Sequence, residues 1–321
     1  MKKLYPLQFK PILKERIWGG TKLRDCLNKP ITSEITGESW EISTVENDVS
    51  IVENGSFEGK LLTELINEFP KEILGTKVYE QFGSQFPLLF KFLDAREDLS
   101  IQVHPNDELA KKRHNSFGKT EMWYVMQADE DASLIVGFKK KSSKEEYLKN
   151  LEDKTLINIL DTKKVKKGDV FFLETGTVHA IGAGTLIAEI QQTSDITYRL
   201  YDFDRVDANG NTRELHIDLA LDAINYNVVD TEKKYSKTEN VSNEIVSCPY
   251  FTTNFIPLKD TLSITKNNNS FSVFMCVDGD FTLIVDGDSY RYGKGRTVLL
   301  PASITNYQLS GEASILEIYI S

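Results

Sequence analysis

Histidine is scarce in this chain, with four in 321 residues, so a histidine-based site has few candidates and each can be weighed singly. Cysteine is scarcer: Cys26, Cys248 and Cys276 are odd in number and far apart. That argues against a disulfide framework or a cysteine zinc site and leaves structural thiols. No apolar run approaches the roughly 20 residues of a membrane span. The opening MKKLYPLQFKPILKERIWGG has two lysines but no apolar block of signal-peptide length. The expectation is a cytoplasmic protein with no membrane partner. Basic residues are outnumbered, 38 Lys and Arg against 48 Asp and Glu, for a net charge of −10. Nucleic acid is therefore not an expected partner, because phosphate backbones need basic surface. An anionic small substrate is compatible with this charge where a few Lys and Arg converge locally.

What is present reads mainly as short strands closed by Gly, Asn and Asp turns. The chain is 40% hydrophobic, and its length suffices for one large core or two smaller ones. VDGD and VDGDS supply Asp-Gly turn signals between apolar runs near the C-terminus. The pattern predicts an antiparallel barrel or sandwich. Two segments read as helix. Residues 59–75 carry Leu61, Leu62, Leu65 and Ile66 at helical spacing, with a break or restart at Pro70. Residues 142–160 open with a capping-box pattern, Ser143 followed by Glu146. Residues 215–227 predict a third helix, and the polar, aperiodic stretch 228–244 a linker.

An internal repeat is weak but traceable. GDVFFLETGTVHA (168–180) and GRTVLLPASITNY (295–307) align without gaps, with Asn306 in the slot of His179. The pattern suggests two related barrels, of which the first keeps its histidine.

The polar residues of interest fall in three stretches. In LSIQVHPND (99–107), Ile101 and Val103 alternate with Ser100, Gln102 and His104, so one strand face carries a hydroxyl, an amide and an imidazole. Pro105 limits the strand. In GKTEMWYVM (118–126), Glu121 shares a face with Lys119 and Trp123. Read alone, Glu121 and Lys119 make a strand-end salt bridge. Read with its neighbours, Glu121 is an inward carboxylate that needs a partner. TGTVHAIG places His179 just after a turn. A lone histidine is more often structural than a ligand. His114, in AKKRHNSFG, reads as solvated, and His216 as a helix-start residue. Together, however, His104, Glu121 and His179 suit a divalent first-row metal, zinc being the commonest choice. Gln102 is then either a fourth, weaker ligand or a group that orients the others. Arg199, between Tyr198 and Leu200, either snorkels to the surface or points into a polar cavity to hold an anion.

The segments RIWGG (16–20), GESWEIS (37–43), LSIQVHPND, GKTEMWYV (118–125), GDVFFLETGTVHAIGAG (168–184) and QQTSDITYRLYDFDR (191–205) occur in this order. In them the chain resembles the type I mannose-6-phosphate isomerases (phosphomannose isomerases) of the cupin superfamily, in their short bacterial form. The resemblance implies a mainly β fold of two cupin-type, jelly-roll-like antiparallel barrels with a small helical insertion. Residues 1–240 would form the catalytic barrel, with helical insertions near 59–90 and 142–160. Residues 241–321 would form a second, metal-free barrel. One zinc ion per chain would be bound by His104, Glu121, His179 and Gln102. Ser100, Lys119 and Arg199 fall on substrate-binding positions, and Lys119 and Arg199 on catalytic ones. The implied reaction interconverts mannose 6-phosphate and fructose 6-phosphate through an enediol-type intermediate. Lys119, near a cation and inside a cavity, is expected to have a lowered pKa. Two other classes share parts of this pattern. An iron-dependent cupin oxygenase also uses two His and one carboxylate, and a non-catalytic sugar-binding cupin shares the barrel.

Overall fold

The computed structural model describes residues 3–206 and 210–321. Strand is the commonest regular structure in the described chain. The first unit contains β1 (Ile12–Gly20), β2 (Thr36–Ile42), β3 (Leu88–Ala95), β4 (Ile101–Val103), β5 (Glu121–Ala128) and β6 (Ser133–Phe138). It continues with β7 (Leu160–Lys164), β8 (Val170–Leu173), β9 (His179–Ile181), β10 (Thr185–Gln192) and β11 (Tyr198–Tyr201). These pair as two antiparallel sheets, in the orders β1-β2-β3-β10-β5-β8 and β11-β4-β9-β6-β7. Trp18, Leu93, Trp123, Phe171 and Ile187 pack together inside as one cluster. The period-two alternation read from the sequence explains the faces. Ile101 and Val103 pack outward with Phe138, Tyr147 and Tyr198, which leaves Ser100, Gln102 and His104 on the opposite side.

The helical segments lie outside these sheets. Leu62–Glu68, Pro70–Leu74 and Thr76–Phe82 succeed one another, with Pro70 at a first helical position, where a missing N–H leaves no bond unmade. Lys144–Glu152 begins at Ser143, whose hydroxyl accepts from the Glu146 N–H. The capping box is only half formed, because the Glu146 carboxylate accepts from the Ser142 hydroxyl at 2.9 Å. The third helix is shorter than expected, Ile217–Leu221. The stretch 228–244 is not a free linker. It straps β8 through Phe172 N–H to Thr231 O and Lys233 N–H to Val170 O, both 2.8 Å. Backbone groups of β8 left unpaired by the sheet give this polar segment something to bind.

The second unit contains β12 (Asn243–Ser247), β13 (Thr252–Leu258), β14 (Thr261–Thr265), β15 (Ser272–Val285), β16 (Asp288–Gly293), β17 (Thr297–Leu300) and β18 (Asn306–Tyr319). Their order is β12-β13-β18-β15-β16, with β14 on β18 and β17 on β15. The repeat seen in the sequence has a structural counterpart. β8 covers 170–173 and β9 starts at 179, while β17 covers 297–300 and β18 starts at 306. The long β15 and β18 run continuously where the first unit splits the same path into β5 and β6, and β9 and β10.

The two units share a core. Met122, Tyr124 and Met126, on the outer face of β5, join Phe255, Met275, Leu316 and Ile318. Leu7 exchanges backbone hydrogen bonds with Leu299. Leu316 is fully buried in this seam. Leu316→Ala should therefore cost about 2–5 kcal/mol. It should lower the melting temperature in one transition spanning both units, as checked by calorimetry. Among the described residues no helix is long and apolar enough to cross a membrane.

Candidate active site

Three strands bring the candidate ligands together. His104 directly follows β4, β9 begins at His179, and β5 begins at Glu121. Gln102 and His179 are cross-strand partners, which places the end of β9 beside β4. His104, Glu121 and His179 are all nearly fully buried. One ligand atom from each lies within 4.8 Å of the others, a group that could hold a metal ion.

The hydrogen bonds around them set their chemistry. His104 Nδ1 lies 2.8 Å from the Ile196 carbonyl, and His179 Nδ1 lies 2.8 Å from the Thr177 carbonyl. A carbonyl only accepts, so each Nδ1 carries the proton and each Nε2 presents a lone pair. Burial pulls His179 down to about 4 and His104 well below its ordinary value, with the Lys119 charge adding to both shifts. Both rings are therefore neutral near pH 7. Each Nε2 faces Glu121: His104 Nε2 is 3.5 Å from Oε2, and His179 Nε2 is 3.3 Å from Oε1. Neither Glu121 oxygen accepts a well-formed hydrogen bond. Burial pushes this carboxyl up to about 7, against the pull of Lys119. Two imidazole lone pairs and a carboxylate, buried and converging on one point, are what a divalent cation satisfies. Gln102 Nε2 lies 3.2 Å from His179 Nε2, and turning the amide over brings Oε1 to the same place.

Lys119 lies at this centre. Its Nζ is 3.1 Å from Glu121 Oε2 and 3.1 Å from His104 Nε2. The salt bridge read from sequence is thus present, alongside the His–Glu–His cluster. The lowered Lys119 pKa expected beside a cation is not what the metal-free chain shows. Burial alone would lower it, but the carboxylates of Glu121, Glu189 and Glu38 outweigh burial and raise it.

A cavity of about 530 Å³ opens over this cluster, and Ser100, Gln102, Lys119 and Arg199 line it. Arg199 pairs in register with Gln102 on β11 and β4, so it stands one strand from the candidate ligands. Its Nη1 donates to the Glu214 carbonyl at 2.8 Å, and its Nε is buried without a partner. His216 lies outside the cluster, but its Nδ1 accepts from the Arg199 N–H. His114 is exposed, as expected, with Nε2 2.8 Å from the Tyr198 hydroxyl.

Sequence reasoning missed part of the lining. Lys91, Glu38 and Arg213 border the same cavity. Lys91 Nζ is 3.2 Å from Glu189 Oε1 and 3.9 Å from Glu38 Oε2. Trp40 donates to Glu38 and Trp123 to Glu189. Burial alone would raise Glu38, but Lys91, Arg16 and the Trp40 indole hold it down to about 2. A single lysine in the apolar run LLFKFLDA was the available signal for Lys91.

The family model of the phosphomannose isomerase type I catalytic domain matches residues 6–158. The mannose-6-phosphate isomerase cupin domain matches residues 242–320. The chain is 39% identical over 315 residues to the mannose-6-phosphate isomerase ManA of Bacillus subtilis, covering 97% of this chain and 98% of that protein. The chain belongs to the mannose-6-phosphate isomerase family. A Streptococcus mutans mannose-6-phosphate isomerase is 36% identical, with 97% of each chain covered. The crystal structure of the Bacillus subtilis mannose 6-phosphate isomerase superposes with a TM-score of 0.90 at 34% identity, covering 98% of this chain and 99% of that one. Membership of the mannose-6-phosphate isomerase family makes this protein an enzyme of the cupin fold, and places the buried His–Glu–His cluster in a family of isomerases.

Proposed function

We propose that the chain is a zinc-dependent aldose-ketose isomerase that interconverts mannose 6-phosphate and fructose 6-phosphate through an enediol-type intermediate. The observation that carries this reading is the pair of buried imidazoles whose unprotonated Nε2 atoms face the Glu121 carboxylate beside a cavity that Arg199 lines. His104, Glu121 and His179 would hold the ion, with Gln102 as a weaker oxygen donor. When bound, zinc supplies Lewis-acid stabilisation of negative charge on sugar oxygens, without redox change.

The protein's own groups do the rest. The reaction moves a proton between C2 and C1 of the open-chain sugar, and negative charge develops on O1 and O2. Arg199, charged at all working pH and with Nε unpartnered, stabilises that charge beside the reacting carbons. Lys119 is a protonated donor that hydrogen-bonds a substrate oxygen or delivers a proton. Ser100, buried on the same face, donates a hydrogen bond to the substrate. The cavity lining would fix C1 and C2 relative to these groups, the entropic part of the rate gain. The same reading includes a cytoplasmic location, supported by three unpaired cysteines. Incubating the zinc-loaded protein with isotopically labelled mannose 6-phosphate tests it. Labelled fructose 6-phosphate should accumulate to equilibrium, and its absence would defeat the proposal.

Metal binding carries a pH signature. Zinc needs Glu121 as a carboxylate, and in the metal-free chain burial raises this group to about 7. Below that pH it holds a proton that zinc must displace. Zinc affinity should therefore rise with pH up to about 7 and then level off. Near pH 6, binding should release close to one proton per chain. Calorimetric titrations in two buffers of different ionisation enthalpy measure that proton, and finding none would mean Glu121 is already ionised.

A further inference from the structure

The second unit has a cavity where, strand for strand, the first has its candidate metal cluster. Leu173 lies opposite Glu121, and its repeat partner Leu300 lies opposite Ser272. His179 lies opposite Gln102, and Asn306 opposite Thr265. Glu189 sits between Trp123 and Lys91, and Glu317 sits between Phe274 and Asn254. Ligand positions have thus become hydroxyls and amides, which removes any comparable metal set. The inward carboxylate survives as Glu317.

The surroundings of Glu317 differ from those of Glu189 in one respect. Glu189 has Lys91 at 3.2 Å. Glu317, 7% exposed, has hydrogen-bond donors but no ion pair among the described residues. Its Oε2 accepts from Ser242 Oγ at 2.5 Å and from Asn254 Nδ2 at 3.2 Å. Among the described residues its Oε1 has only the Tyr307 hydroxyl, at 3.5 Å. A buried carboxylate oxygen so poorly satisfied is costly, and an unused barrel mouth would be more stable filled with apolar side chains. It is not filled. A cavity of about 550 Å³, within the ~300–1,000 Å³ range of small-molecule sites, is lined by Glu317, Asn254, Tyr307 and Lys266. Leu262 and Ile264 add an apolar wall. Lys266 donates to the Ser270 carbonyl at 2.6 Å, and burial pulls it down to about 8.

An acceptor at the floor, an ammonium donor at the wall and an apolar side suit a molecule rich in neutral hydroxyls. Glu317 disfavours an anion, and the charged pair disfavours an apolar guest. We propose that this cavity binds a neutral hexose or hexitol, outside the catalytic barrel and without chemistry. The hydroxyls would donate to Glu317 Oε1 and accept from Lys266 Nζ.

Equilibrium dialysis of the zinc-loaded full chain with radiolabelled D-mannose, D-glucose, D-fructose and sorbitol tests this. At least one should bind, and that binding should persist in His179→Ala, which disables the first site. It should weaken at least tenfold in both Glu317→Gln and Lys266→Met, while kcat and KM for isomerisation stay at wild-type values. Lys266 is only half-buried, so Lys266→Met keeps the test decisive if Glu317→Gln folds poorly. The proposal is overturned if none of the four binds, or if binding vanishes in His179→Ala and survives in Lys266→Met. It is also overturned if the site takes only phosphorylated hexoses.

Discussion

His179→Ala should abolish turnover and leave the chain nearly without zinc, where the wild type holds about one ion. The imidazole is fixed by Thr177 behind it and faces Glu121 in front, and nothing solvent-exposed can replace it. Without it, Glu121 keeps Lys119 at 3.1 Å, so the remaining pocket favours the internal ammonium over an external cation. Lewis-acid stabilisation is worth several kcal/mol, so turnover should fall ~10³-fold or more. Glu121→Ala should lower zinc content and activity together for the same reason. His114→Ala is the control: that residue is exposed, and it should keep both zinc and rate. Metal analysis with steady-state kinetics on the three variants checks the set. Full zinc content with near-normal turnover in His179→Ala would remove the cluster from the mechanism. One further count belongs to the same measurement. The second unit has Ser272, Thr265 and Asn306 at the corresponding registers, so chelator-washed and zinc-reloaded protein should hold one ion, not two.

Arg199→Ala should cut kcat by about a hundredfold to a thousandfold while zinc content and fold persist. The guanidinium borders the cavity one strand from the ligands and is held from behind by Glu214, and His216 anchors its backbone. Its buried, unpartnered Nε is a donor kept ready for an anionic oxygen. Arg199→Lys should recover only part of the rate, because lysine keeps the charge and loses the planar fork. If Arg199 served only to hold the phosphate, the defect would appear mainly in KM. Zinc content, kcat and KM for both variants decide between these roles. A normal kcat in Arg199→Ala would exclude it from charge stabilisation.

The sequence was most legible where chemistry is written in strand alternation. Ser100, Gln102 and His104 share a face because side chains alternate, whatever the partner strand. Pro70 and Ser143 mark helix starts through local backbone chemistry that needs no tertiary context. The repeat offset between His179 and Asn306 could be counted along the chain and reappears in the strand boundaries. Where local signals competed with packing, the reading was weaker. The stretch 228–244 has no periodicity, yet free backbone groups on β8 give it a fixed path. In the metal-free chain Lys119 is raised, not lowered, because a lysine's pKa depends on every charge around it. Glu189 and Glu38 are 70 and 81 positions away in the chain, and only the fold sets them beside it.

The sequence by itself therefore determined the strand-rich class, the identity of the four candidate ligands and the absence of a matching set near the C-terminus. Each of these rests on residue type and strand alternation within separate segments, together with the family resemblance of those segments. The tertiary structure decided which nitrogen of each histidine is free, since that depends on the carbonyls of Ile196 and Thr177. It also decided the Lys91–Glu38–Glu189 lining, the shared core between the units, and the polar cavity around Glu317. All of these are contacts between residues far apart in the chain. Hydrogen-bond direction, desolvation and charge coupling act through space, and sequence order does not carry those distances.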